Sequence, residues 1–378
     1  MENYELCSLA KEKWIVTIMR KTLLLIAADP LKEYSQSPGG QGTASKALIH
    51  LAGNLGVKVV VIDSAQSHME KSTFINRIKK STKRFQQINI ALKQNHFNSA
   101  VIFCSSGLSF IEKSLMAWRI NLAQVPTTMC MRSGHFMTQN DNSFIWRLLS
   151  YLLLKIPSRH VVQGTNWINY FTSLGVSSQK IDVARNWPRE YIKLKKEAKS
   201  SPKVINFIFV GWVVRNKGIK ELLDAVYQSK KLQSSIIHIV GDGDYMSKAK
   251  EFVLKHNLNN IIFYGNKPHK EAIKIISEGD VFVLPSYAEG FPNAIVEAMY
   301  LGLPIIASDV GAISDSVISN KNGYLIPPKN TEKLKTAMEE FIINPELVSK
   351  YSSKSLEISK LLHDPDKNIN VFLSDCLK

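Results

Sequence analysis

"DVFVLPSYAEGFPNAIVEAMYLGLPIIAS" (280–308) holds one folding unit and one chemical question. Its apolar run 280–286 reads as a strand. Pro292 suits the first turn of a helix, where no hydrogen-bonded N–H is needed. "NAIVEAMYLG" then runs helically to Gly302, a natural C-terminal stop, and "LPIIAS" (303–308) is the next strand. Strands that are apolar along their whole length and separated by helices belong to parallel sheets covered on both faces.

The same pattern extends outward in both directions. In the second half, strands are expected at 204–211, 235–241 and 260–265; in the first half at 22–28, 57–63, 99–104, 127–131, 159–163 and 180–184. "MRKTLLLIAADP" (19–30) carries Arg20 and Lys21 before a short apolar run and is read as the first buried strand rather than a signal peptide. With 378 residues the chain exceeds one ordinary core. The expectation is an α/β protein of two doubly wound domains. "NWPREYIKLKKEAKSSPK" (186–203), with two prolines and no apolar period, reads as the join.

Composition narrows the function classes. Apolar content of 45% and charged content of 21% exclude extended disorder. Cys7, Cys104, Cys130 and Cys376 lie far apart with no metal-ligand spacing, so no metal site is expected. No apolar stretch is long enough to span a bilayer; "IWRLLSYLLLKI" (145–156) comes nearest and carries Arg147 and Lys155. Charge is uneven: residues 1–190 hold 23 Lys and Arg against 11 Asp and Glu, a balance of +12 in a total of +16. That half is expected to meet an anionic partner. Nucleic acid is not expected, because no reading motif appears.

The chemical question lies at the helix start. The amides around Gly290, Phe291, Pro292, Asn293 and Ala294, with the helix dipole, make an anion site that suits a diphosphate. Two glutamates flank it, Glu289 in the loop and Glu297 in the helix. A carboxylate beside a diphosphate is unfavourable unless it binds hydroxyls, so Glu297 is assigned to a ribose diol and Glu289 to a sugar. Two solvated glutamates would be the plain alternative.

"SYAEGFPNAIVEAMYLGLPIIASDVGAISDSVISNKNGYLIPP" (286–328) closely resembles the E-x7-E region of the retaining, metal-independent glycosyltransferases of family four. "FIFVGWVVRNKGIKELLDAV" (207–226), "IIHIVGDGDY" (236–245) and "NIIFYGN" (260–266) match neighbouring segments of that family in order. The resemblance implies the GT-B fold: two Rossmann-like doubly wound parallel-sheet domains facing a central cleft. Domains are then placed at 1–186 for the acceptor, 204–360 for the nucleotide-sugar, with a linker at 187–203 and a C-terminal helix at 361–378. It implies a UDP-sugar or similar donor, no cofactor and no metal. It further implies a glycan or lipid-linked acceptor, as in lipopolysaccharide or capsule assembly, and a cytoplasmic enzyme lying on the inner face of the plasma membrane.

The resemblance also implies roles. Lys217 matches the family's diphosphate-binding lysine; Trp212 stands where its arginine partner is usual, with Arg215 the nearest substitute. Gly39 and Gly40 align with the Gly-Gly loop near the donor phosphate, and His135 or Arg132 with a histidine facing the donor sugar. Asn186 matches the hinge asparagine, followed here by Trp187 in place of glycine. Gly241 and Gly243 are read first as turn residues. The basic stretch 71–85 is a candidate for an anionic membrane surface or a solvated helix face. Two other functions remain open: another GT-B enzyme such as a nucleotide-sugar epimerase or phosphorylase, and a non-catalytic nucleotide-sugar-binding module.

Overall fold

A computed structural model describes residues 21–29, 39–64, 74–189, 192–193 and 200–377. The stretches 1–20, 35–38 and 71–73, and 190–191 and 194–199 of the expected linker, lie outside the described residues. The chain divides into two units.

The first unit holds strands β1 (Thr22–Ala27), β2 (Lys58–Asp63), β3 (Ser99–Cys104), β4 (Thr127–Met131), β5 (Arg159–Val162) and β6 (Ile181–Val183). They form one parallel sheet in the order β2-β1-β3-β4-β5-β6. Central strands are buried on both faces, and Leu23 to Ala27 have no exposed surface. This explains why they are apolar at every position instead of alternating. Helix Pro365–Leu377 belongs to this unit. Its Phe372 ring lies 5.9 Å from that of Phe103 on β3, and its Asp375 accepts bonds from Thr128 and from Arg159, each at 3.3 Å.

The second unit holds β7 (Asn206–Val210), β8 (Ile236–Val240), β9 (Ile261–Gly265), β10 (Val281–Leu284), β11 (Ile305–Ser308) and β12 (Gly323–Ile326) in the parallel order β12-β11-β10-β7-β8-β9. Eleven of these twelve strands coincide with the sequence expectation. The twelfth, β12, is "GYLI": four residues at the sheet edge, only its ends buried, too short to stand out as a pattern.

The units are not divided at one point in the chain. The second contains Arg185–Pro365 and also Gly164–Trp167, so those four residues interrupt the first unit's stretch of chain. Their hydrogen bonds give the reason. Thr165 donates to the Asp315 carboxylate through its amide at 2.7 Å and its hydroxyl at 2.6 Å, and Arg185 pairs with the same carboxylate at 2.8 Å.

In each sheet the chain order reverses once, between β1 and β3 and between β7 and β10. Loops leaving the C-terminal ends of the two strands at such a reversal diverge and leave a crevice where ligands bind. In the second unit those loops are the ones that follow β7 and β10.

Candidate active site

The loop after β7 carries Trp212, Arg215 and Lys217; the loop after β10 carries Tyr287, Glu289 and Gly290. Main chain binds the two together, since the Tyr287 amide donates to Asn216 O at 2.8 Å. Gly218, at φ 73°, lies so close to the second loop that a Cβ there would sit 2.1 Å from Pro285 O. Only glycine permits that approach. Gly311 does the same from the loop after β11: at φ 61°, its Cβ would meet Glu289 O at 2.1 Å and Gly290 O at 2.5 Å. Gly241 and Gly243 likewise press on the carbonyls of Gly211 and Val213, which accords with their turn reading.

On this backbone the two glutamates are held, not solvated. Glu289 is ion-paired with Lys217, its side chain 11% exposed. Glu297 lies on helix Asn293–Tyr300 with its side chain 7% exposed, and His269 Nε2 donates to its Oε1 at 2.8 Å. A carboxylate that far from water needs such a partner. Tyr287 donates to the Glu221 carboxylate at 2.7 Å. Burial and that bond push its hydroxyl up to about 12, while the positive charge of Arg215 nearby opposes the rise.

Helix Asn293–Tyr300 points its N-terminus at this group. Its first amides have no intrahelical acceptor by construction. Phe291 is buried and Pro292 caps the helix. Asn186, itself buried, fixes the turn by donating to Phe291 O at 2.7 Å and to Asn293 Oδ1 at 2.6 Å. His363 holds Asn186 in turn: its Nδ1 donates to Asn186 O at 2.7 Å, and its Nε2 accepts from the Ser316 hydroxyl at 2.9 Å. The ring has no exposed surface, and burial depresses its pKa to about 4, so it stays neutral as this bonding requires.

The structure thus brings Lys217, Arg215, Glu289, Gly290 to Asn293 and Glu297 into one unit. It adds His269, Tyr287, Glu221, Asn186 and His363. Asn186 had a sequence signal as hinge asparagine, but not as the brace of the 291–293 turn. Tyr287 lies two residues before Glu289, and Glu221 is a lone acid on an apolar helical face; neither has a signal at motif spacing. Trp187 is buried, and Trp212 is 53% exposed.

The remaining candidates belong to the first unit. Gly39 and Gly40 open helix Gly39–Asn54 rather than forming a free loop. His135 is the first residue of helix His135–Asp141, exposed, and lines a pocket of about 480 Å3 with Ser106, Gly107, Gln139, Ser143 and Trp146. Arg132 lies over the Phe103 ring, 5.4 Å from its centroid, so His135 and not Arg132 reaches the pocket. The basic stretch forms part of helix Phe74–Gln94. Residues 75–80 are exposed, but Arg84 turns inward to pair with Glu112 at 2.9 Å. Among the described residues no three His, Cys, Asp or Glu side chains cluster as a metal site would.

The chain is similar to several known proteins. Over 153 residues the chain is 35% identical to an uncharacterized glycosyltransferase of Methanocaldococcus jannaschii, covering 40% of this chain and 42% of that one. It is 26% identical over 178 residues to the amylovoran biosynthesis glycosyltransferase AmsK of Erwinia amylovora, covering 44% and 43%. The chain thus matches less than half the length of these relatives. Solved structures match throughout. Sucrose-phosphate synthase from Thermosynechococcus elongatus superposes with a TM-score of 0.76 at 18% identity, over 93% of this chain and 97% of that one. Anabaena HepE in complex with UDP gives 0.67 at 17%, over 94% and 99%. Residues 191–357, which contain every second-unit candidate except Asn186 and His363, match the glycosyl transferases group 1. Residues 191–357 are thus similar to the glycosyl transferases group 1, and the chain has the GT-B fold.

Proposed function

We propose that the protein is a retaining glycosyltransferase that moves a sugar from a nucleotide-diphosphate donor, UDP-sugar by preference, to a hydroxyl of a glycan or lipid-linked acceptor. The Lys217–Glu289 ion pair at the N-terminus of helix Asn293–Tyr300 carries the reading. A diphosphate at that helix start draws on Lys217, Arg215 and the amides of the 290–294 turn. These groups stabilise the charge that grows on the leaving group as the glycosidic bond breaks, without a metal. Competition of the diphosphate for Lys217 releases Glu289 to accept from sugar hydroxyls and to stabilise the positive charge at the reacting carbon. Glu297, held by His269, takes the ribose diol. The acceptor is assigned to the basic first unit.

Similarity to known proteins supports the wider setting. Relatives are named for amylovoran biosynthesis, and a protein of like fold was solved with UDP. The test is a thermal-shift comparison of UDP-, GDP- and ADP-sugars with and without EDTA, followed by nucleoside diphosphate release and the anomeric configuration of the product. A ligand that binds only the folded state raises its stability with the logarithm of concentration over Kd. A shift with one nucleotide class, unchanged by EDTA, with release matched to acceptor glycosylation and the configuration kept, is the expected result. Binding without turnover on any acceptor would instead favour the non-catalytic module, and an inverted product would overturn the retaining assignment.

A further inference from the structure

Helix Phe144–Leu153, "FIWRLLSYLL", contains no acidic residue and a single basic one, yet it lies on the surface. Phe144 is 79% exposed and Ile145 69%, and Leu148, Tyr151 and Leu152 are each more than 40% exposed. At 100° per residue these five side chains fill an arc of about 120°. Ser150, Trp146 and Leu153 occupy the opposite side. Soluble surfaces rarely leave so continuous an apolar arc uncovered. At ten residues the helix is about 15 Å long, half of what a bilayer core requires, so it cannot span one.

Charge decides between occupants. Arg147 borders the arc, and the Lys155 ammonium lies 3.7 Å from the centre of the Tyr151 ring, at the rim of the same face. The sequence of this half has a balance of +12. A second copy would bring like charge against like. An anionic lipid surface offers the apolar arc a boundary to enter and the cations headgroups to meet.

We propose that helix Phe144–Leu153 docks this unit on an anionic phospholipid bilayer, lying in the plane of the interface with Phe144, Ile145, Leu148, Tyr151 and Leu152 inward. Ser143 and Trp146, next to and on the same helix, line the 480 Å3 pocket from its other side. If the protein acts as a glycosyltransferase, as proposed above, an acceptor anchored in the bilayer would carry its polar head within about one helix diameter, ~10 Å, of that pocket. The docking itself is testable without any acceptor.

The experiment is co-sedimentation of the full chain with vesicles of phosphatidylcholine alone and of equal parts phosphatidylcholine and phosphatidylglycerol. The wild-type protein is expected to partition to the anionic vesicles and to release as salt rises. Replacing Phe144→Asp together with Ile145→Asp should weaken partition by about tenfold or more, with an unchanged melting temperature because both side chains are largely exposed. The donor thermal shift should also persist. Undiminished partition of this variant, or absence of wild-type binding to anionic vesicles, overturns the proposal. So does a concentration-dependent dimer that the same substitutions abolish without any vesicle binding, which would give the face to a second copy. A donor shift that survives a failed vesicle test leaves the proposed function standing.

Discussion

The second unit and the first finish their strands in different ways. After β7, β10 and β11 the chain packs backbone on backbone: Gly218 against Pro285 O, Gly311 against Glu289 O and Gly290 O. Charged side chains are then paired on that rigid frame, Lys217 with Glu289 and His269 with Glu297. After β3 and β4 the loops border a pocket lined by side chains, Trp146 and Gln139 among them. The second unit's loops are set by main chain and the first unit's pocket by side chains. Under the proposed function, the main-chain frame holds the diphosphate and the side-chain pocket meets the acceptor.

The largest effect should come from the frame's charges. Lys217→Ala is expected to lower kcat on the order of a hundred- to a thousandfold, with a melting temperature close to wild type. A near-normal kcat would break the contrast at its centre. Acid is next, and it acts on both units. His363 and His160 are buried with pKa values depressed to about 4, chiefly by loss of solvation. The unfolded chain takes up these protons near 6.5 and the folded one only near 4. Stability is therefore full above about 6.5 and falls as pH drops towards 4, by about 3 kcal/mol for each ring. Denaturation midpoints between pH 7 and 4 should show that loss, and His363→Asn should remove part of it.

Gly311→Ala should cost about 1–3 kcal/mol in stability, because a Cβ at positive φ would collide with two carbonyls. Chemical denaturation measures this cost. Trp146→Ala tests the first unit's pocket: acceptor KM should rise about tenfold while donor KM stays unchanged. A matched rise in donor KM would mean that the pocket does not act on the acceptor alone. The smallest effect is expected at Gly53, where a Cβ meets nothing within 4 Å on helix Gly39–Asn54. Gly53→Ala should stabilise by about 0.5–1 kcal/mol.

The same division governs what could be read in the sequence. Gly218 and Gly311 stand beside strands at fixed spacing because no other residue fits there, so the second unit's loops are legible as motifs. Lys217, Glu289 and Glu297 could be picked out for the same reason. His269 could not: its partner is 28 residues away, and nothing in "PHKEA" marks it. Tyr287 and Glu221 meet only through the fold. His363 is less legible still, since its bond to Asn186 closes a separation of 177 residues. In the first unit, Gly39 and Gly40 suggested a loop by their resemblance to the family's Gly-Gly loop, and here they start a helix. The basic stretch was taken as one patch, and helical geometry turned Arg84 inward. The edge strand β12 was lost for want of length.

One feature of the chain path bears on how the protein is made. Helix Pro365–Leu377 supplies Phe372 and Asp375 to the first unit, yet it is encoded after the whole of the second. Until those residues leave the ribosome, Phe103 lacks the Phe372 ring and Arg159 lacks one of its two carboxylates. Domains fold during synthesis as their own residues emerge. Here the second unit has its full set first, although the first sheet is translated earlier. The nascent chain therefore holds an unfinished, apolar first unit throughout synthesis of the second, and chaperones would find their longest-lived target there.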